Sequence, residues 1–265
     1  MTDLDVKTLR DAYDSQLRAR GLDPVPAGVT VERDGPLIRM LGLDSGGFLT
    51  YRDLGGLTGD ALDELINRQR EYFAARGQHV EWKLHGHDEP ADLPNRLRAA
   101  GFQPEEEETV VVGPVAPLAA ALPVLPDGVR LREVTARADL DRIAEMEAKV
   151  WQAERGWLAD GLEREIAADP HSLTVVVAEA AGQVVSAGWV RYVAGTGFAT
   201  LWGGSTLPEW RRRGIYRALV TYRARLADAR GFTMLQVDAS SDSRPILERL
   251  GFVAVTTTTP YIYTP

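Results

Sequence analysis

The chain has 265 residues, enough for one large domain or two small ones. It has no cysteine, which excludes disulfides, thiolate metal sites and acyl transfer through a cysteine-bound intermediate. A formal charge of −8 argues against a broad nucleic-acid surface and gives modest support to a cationic partner. There is no long uncharged apolar run to span a membrane, and Met1-Thr2-Asp3-Leu4-Asp5 lacks the features of a signal peptide, so a soluble cytoplasmic protein is expected.

In chain order, the first readable element is a helix capped by Thr58, running through Leu62, Leu65, Ile66, Gln69 and Phe73 and ending at Arg76-Gly77. A strand, Val80 to Leu84, follows. A short helix from Leu93 to Ala100 closes at Gly101-Phe102, and Thr109 to Val112 forms a last strand. From Gly113 to Gly128 there are four prolines among small apolar residues with no helical or strand period, which predicts a linker without regular structure.

Beyond it, Val129 to Val134 reads as a strand, Leu140 to Val150 and Leu158 to Ala168 as helices, and Leu173 to Ala178 as a buried strand. Strands over Val184 to Val193 and Phe198 to Thr206 continue a meander. A helix from Ile215 ends at Arg230-Gly231, and the strand Met234 to Val237 follows. A helix from Pro245 to Leu250 closes at Gly251-Phe252, and a last strand lies near Pro260 to Tyr263. The order helix, Arg-Gly, strand, helix, Gly-Phe, strand thus occurs twice, with glycines where helices end in positive φ. It predicts a duplication: domains at 1–112 and 128–265, joined by 113–127, each of mixed α/β plan.

The chemistry concentrates between Gly203 and Leu219. A strand ends, the basic loop Pro208-Glu209-Trp210-Arg211-Arg212-Arg213-Gly214 follows, and an amphipathic helix starts at Ile215. A helix N-terminus offers unpaired N–H groups and positive partial charge, and a glycine there lets a phosphate come close. Three arginines add positive potential for a diphosphate.

This segment resembles the acyl-CoA loop of the GNAT acyltransferase superfamily. Arg211, Gly214 and the place of Tyr216 fall on the family pattern, and Pro208, Trp210 and Arg211 on its preceding Pro-x-Trp-Arg. The stretch from Leu235 to Phe252 resembles its second conserved region. The resemblance implies two α+β domains, each a mixed, mainly antiparallel sheet flanked by helices, with only the C-terminal copy holding acetyl-CoA as co-substrate. It further implies that backbone N–H groups from Arg212 through Gly214, Ile215 and Tyr216 to Arg217 hold the pyrophosphate, with Arg211 and Arg213 beside it. Ser205 and Thr206 would pair with the pantetheine arm, and Ser240 would stand where the family has an asparagine. The reaction implied is direct N-acetylation of a small-molecule or peptide amine, with no metal, nucleic acid or membrane partner; oligomeric state stays open.

The sequence departs from the family at the helix start, where Tyr216 replaces a small Gly or Ala, and at the acid and the base. Leu247 stands where many relatives have the proton-donating tyrosine, leaving Tyr216, Ser243 or water. The strand Phe198 to Thr206 has no glutamate, leaving Asp238 as a base or as a cap for the following helix. Glu147 reads as a solvated helix residue, and Trp151, Trp157, Trp189 and Trp202 as core. These departures also admit a non-catalytic acyl-CoA-binding sensor or partner module. In the N-terminal copy, Leu54 to Asp60 has glycines but no Arg or Lys, so it reads as empty. His85-Gly86-His87 reads as a solvated loop, Glu105 to Glu108 as an exposed acidic turn and Thr256 to Thr259 as a β-prone run.

Overall fold

The computed structural model describes residues 5–18, 20–22, 25–44 and 46–265. In chain order it contains α1 (Val6–Gln16), β1 (Thr30–Asp34), β2 (Leu37–Leu43), β3 (Gly46–Thr50), α2 (Gly59–Ala74), β4 (Val80–His85), α3 (Leu93–Ala99), β5 (Gln103–Pro104) and β6 (Glu108–Pro114). Next come α4 (Val115–Ala119), β7 (Val129–Val134), α5 (Arg137–Trp151), α6 (Gly156–Ala168), β8 (Leu173–Ala180), β9 (Gln183–Tyr192) and β10 (Phe198–Thr206). The chain ends with α7 (Ile215–Asp228), β11 (Met234–Ala239), α8 (Arg244–Arg249) and β12 (Val253–Tyr263). The architecture is mixed α/β, with mostly antiparallel strands flanked by helices. Among the described residues no helix is long and apolar enough to cross a membrane.

The chain divides into two compact units. The first comprises Met1–Val111, Asp238–Pro245 and Val253–Pro265; the second, Val112–Val237 and Ile246–Phe252. The division does not follow chain order as the sequence suggested. Residues 253–265, expected in the C-terminal domain, belong to the first unit, and β12 is far longer than the expected strand at Pro260 to Tyr263. β12 pairs antiparallel with β4, from Thr258 opposite His85 to Tyr263 opposite Val80. Its buried residues, Val255, Thr258 and Tyr261, do not alternate as a half-buried strand should, which is why the pattern alone missed its start.

In the first unit the strand order is β1-β2-β3-β4-β12, with β5 on β12. β3 and β4 run parallel, from Gly47 opposite Val80 to Leu49 opposite Trp82, with α2 as the crossover. The expected face of α2 is buried: Leu62, Leu65, Ile66, Gln69 and Phe73. Leu62, Leu65, Ile66 and Phe73 join Leu37, Leu49, Trp82, Phe102 and Tyr261 in one core. Thr58 precedes α2, but its side chain makes no capping hydrogen bond.

In the second unit the order is β11-β10-β9-β8-β7. All eight residues of β8 are buried, as its continuous apolar run demands. β10 and β11 run parallel with α7 as crossover. A separate core forms around Leu140, Ile143, Val176, Trp189, Ile215 and Leu219. The stretch expected to lack regular structure contains α4. Its one internal proline, Pro117, falls in the first turn, where an N–H has no intrahelical acceptor to lose. Val115 and Leu118 are buried, the Val115 N–H bonds the Thr233 carbonyl at 2.9 Å, and α4 packs on α7.

Both crossover helices end alike. Gln78 N–H reaches back to Phe73 O at 3.1 Å, and Phe232 N–H to Ala227 O at 3.1 Å. The short helices repeat the device: Phe102 N–H bonds Leu97 O, and Phe252 N–H bonds Leu247 O. These are the bonds that a glycine just past a helix end permits.

Candidate functional site

The turn into α7 is built from backbone. Pro208–Trp210 forms one 3-10 turn, Arg212 adopts a positive φ of 62°, and Gly214 sits at the helix N-cap with φ 83°. No side chain caps the helix, and the first internal bond is Ala218 N–H to Gly214 O at 3.0 Å. The N–H groups of the first helical turn, Ile215 and Arg217 among them, therefore point out of the helix end. Ile215 is buried in the core and anchors the turn. Arg211, Arg212, Arg213 and Arg217 are exposed. Arg211 Nε donates to Thr206 O at 3.0 Å, and the Arg213 guanidinium lies 4.8 Å from the centre of the Trp210 ring. Beyond φ, the Gly214 position has space: an added Cβ would meet only Val124 O, at 3.8 Å. The arrangement suits a diphosphate, with amides at a positive helix end and mobile cations around it.

Upstream of the turn, the strands separate. β10 pairs with β11 only from Phe198–Met234 to Thr200–Gln236. Against β9 the register holds from Ala199 to Gly203, then shifts before Thr206. Arg223, on α7, fixes the shift. Its guanidinium is fully buried and donates to Trp189 O on β9 at 3.1 Å and Trp202 O on β10 at 2.9 Å, while Nε bonds Leu219 O. Burial pushes its pKa down to about 10, still cationic at neutral pH. Past this point the β10 edge toward β11 carries no strand partner among the described residues, which leaves main-chain groups for an extended ligand to pair with.

Tyr216 leaves the helix start toward that edge. An added Cβ on Gly204 would sit 2.6 Å from Tyr216 Cε2, so the ring lies directly on the Gly204 backbone and only glycine fits. The Ser205 carbonyl accepts from Ser186 Oγ at 2.7 Å, and Thr206 Oγ1 shares a hydrogen bond with the same hydroxyl.

Glu147, expected to be a solvated helix residue, is only 5% exposed. Its Oε2 accepts from Ser205 Oγ and from Trp151 Nε1, both at 2.8 Å. Burial raises its carboxyl pKa, opposed by these two hydrogen bonds and by the Arg155 charge. Of the four tryptophans expected in the core, Trp189 is buried, whereas Trp151 (56%), Trp157 (39%) and Trp202 (44%) are exposed. The indole edge of Trp151 finds polar partners at the β10 surface, which holds its ring outside the core.

Asp238 and Ser240 fall in the first unit. Asp238 Oδ2 is 2.5 Å from the Lys83 ammonium. Its charge holds the Lys83 pKa above the ordinary value against burial. Ahead of α8, the Ser240 carbonyl accepts from Arg244 N–H and its hydroxyl accepts from Ser243 N–H. Also in this unit, His85 is buried against the Tyr13 hydroxyl at 2.9 Å, and His87 meets Asp14 and Thr256; neither is a solvated loop residue. Glu105 to Glu107 are exposed. Glu108 is part-buried on β6, and burial with the Asp238 charge pushes its pKa to about 7.

Residues 139–252 match the model of the acetyltransferase (GNAT) family. The chain is similar in structure to a GCN5-related N-acetyltransferase from Kribbella flavida, with a TM-score of 0.66 at 17% identity, covering 100% of this chain and 97% of that one. It is similar to a tandem GNAT protein from the clavulanic acid biosynthesis pathway, with a TM-score of 0.63 at 15% identity and coverage of 99% and 95%. A functionally unknown conserved protein from Staphylococcus epidermidis has a TM-score of 0.63 at 14% identity, with coverage of 91% and 96%. At these identities the likeness is one of fold. No curated protein matches the sequence.

Proposed function

We propose that the chain, whose residues 139–252 match the model of the GNAT acetyltransferase family, moves an acetyl group from acetyl-CoA to an amine of a small molecule or peptide by direct attack. The observation that carries this reading is the uncapped, glycine-entered N-terminus of α7, ringed by arginines and set beside a strand edge without a partner. The amides of Ile215, Tyr216 and Arg217 would receive the pyrophosphate, and Arg211, Arg212 and Arg213 would screen its charge. The β10 edge at Gly204, Ser205 and Thr206 would take the pantetheine arm as an added strand. A free N–H there is suited to polarise the thioester carbonyl.

Tyr216 is the proposed proton donor to the departing thiolate, because its ring lies on the same stretch of β10. Asp238 is already engaged by Lys83, and the reading routes no proton through it. Ser240, committed to the start of α8, keeps at most a contact with the arm. The first unit is proposed to be a copy without its own acyl-CoA site.

Calorimetric titration of the full chain with acetyl-CoA, followed by thiol release in the presence of primary amines, tests the proposal. Binding at one site and release only when an amine is present are expected. A protein that binds no acetyl-CoA would end it, and tight binding without turnover of any amine would leave a binding module.

A further inference from the structure

Glu147 is an anomaly that the acyl-CoA loop does not explain. It is a carboxylate inside the second unit whose Oε2 is fixed by two donors, while Oε1 is buried with no hydrogen-bond partner among the described residues. A buried carboxylate oxygen without a donor is costly and calls for a ligand that supplies one. One of its donors is Ser205, on the segment proposed to carry the acyl arm. The other is Trp151, whose ring is more than half exposed although the indole N–H is fully used. The Arg155 guanidinium stands 5.6 Å from the centre of the Trp151 ring, and the indole surface that stays exposed beside the orphaned acid suits an apolar body with a cationic end.

We infer that Glu147 and Trp151 form the acceptor site, and that the acceptor is a primary amine, cationic in solution, carried on an apolar or aromatic body. This rests on the acyl-transfer reading above and adds the substrate class and the proton acceptor. The acceptor's ammonium would dock on Oε1 and pass one proton to Glu147. The freed lone pair then forms the N–C bond at the thioester carbonyl carbon, the C–S bond breaks, the nitrogen loses its second proton to water and the sulfur gains one through Tyr216. Glu147 finally returns its proton to solvent, so the balance is amide, thiol and one released proton.

Arg155 is the charged group acting on Glu147; Ser205 and Trp151 face it as neutral donors. Because burial raises the carboxyl, the ionised form needed for proton uptake is lost as pH falls through a value above the ordinary 4.5. An acid limb in kcat/KM should report that loss.

The test uses the full chain with acetyl-CoA and a panel of hexylamine, phenethylamine, tryptamine and an uncharged control, aniline. Glu147→Gln should keep acetyl-CoA affinity, lower kcat about 100-fold or more and flatten the acid limb, and Glu147→Asp should restore part of the rate. Trp151→Ala should raise KM for the arylalkylamines about 10-fold with kcat little changed. Glu147→Gln with unaltered kcat and acid limb would overturn the inference and leave acyl transfer standing. Loss of acetyl-CoA binding by the wild-type chain would overturn both. If Glu147→Gln does not fold, Trp151→Ala decides: an unmoved KM refutes the site. Aniline turned over as well as the alkylamines would also refute it.

Discussion

The turn entering α2 runs Leu54-Gly55-Gly56-Leu57-Thr58-Gly59-Asp60, and the turn entering α7 runs Pro208-Glu209-Trp210-Arg211-Arg212-Arg213-Gly214. Both helices cross between parallel strands and both end with the same glycine device. Counted back from Gly77 and Gly231, Asp60 stands where the second unit has Gly214, Leu62 where it has Tyr216, and Gln69 where it has Arg223. Leu62 is buried in the core, whereas Tyr216 reaches over the β10 backbone. Gln69 is buried among side chains, accepting from Arg39 and donating to Asp34; Arg223 is buried among main-chain carbonyls at the separating strands. A shared scaffold thus carries either an acid or a glycine at the corresponding place, and the acid would repel an anion at the positive end of the helix.

The sharpest way to break this comparison is at the entrance itself. Gly214→Asp should abolish acetyl-CoA binding in calorimetry, through charge and through a φ that aspartate adopts poorly, since the position is not crowded. The reverse change in the first unit, Asp60→Gly, should leave the stoichiometry at one; a second site would show that only the acid closes that copy.

Next in size is Arg223→Met. It leaves the carbonyls of Trp189 and Trp202 without a donor and should cost about 2–4 kcal/mol in urea unfolding, with weaker acetyl-CoA binding as the strand separation relaxes. Gln69→Leu should also destabilise, without touching acetyl-CoA affinity.

A smaller effect should appear with acid. Hydrogen bonds from Arg132 and then from Arg142 hold the Glu179 carboxyl at about 2, below its ordinary 4.5, despite burial. Its folded pKa lies below its unfolded one, so its stabilisation is full above 4.5 and is lost as pH falls toward 2. Glu179→Gln should lower Tm by a few degrees at pH 7 and by progressively less between pH 4.5 and 2.5. Smallest of all, Thr58→Ala should change stability by under about 0.5 kcal/mol, because the hydroxyl caps nothing; a loss near 1 kcal/mol would reveal a cap formed in solution.

Much of the fold was legible because its signals are local. The 3–4 spacing of α2, the apolar run of β8 and the Arg-Gly and Gly-Phe helix ends all state their structure within a few residues. The loop entering α7 was legible for the same reason. Helix α1 and strands β1 to β3 were not read; α1 buries only Leu9 and Tyr13, too few to set a period. Glu147 was misjudged because a charged residue on an amphipathic helix normally faces water. Trp151 stands one turn along the same helix, but the partner Ser205 can be seen only once α5 is laid on β10. Asp238 was weighed as base or cap, and neither reading could foresee Lys83, which is distant in sequence.

The pairing of β12 with β4 also bears on how the polypeptide reaches its native state. Residues 253–263 leave the ribosome after everything that builds the second unit, yet they complete the sheet of the first. During synthesis β4 must wait with one edge open until the tail arrives, an interval in which foreign strands compete for it. Expression of residues 128–265 alone would free that tail of its mate, so cutting the gene ahead of residue 128 should yield aggregating halves rather than two independent proteins.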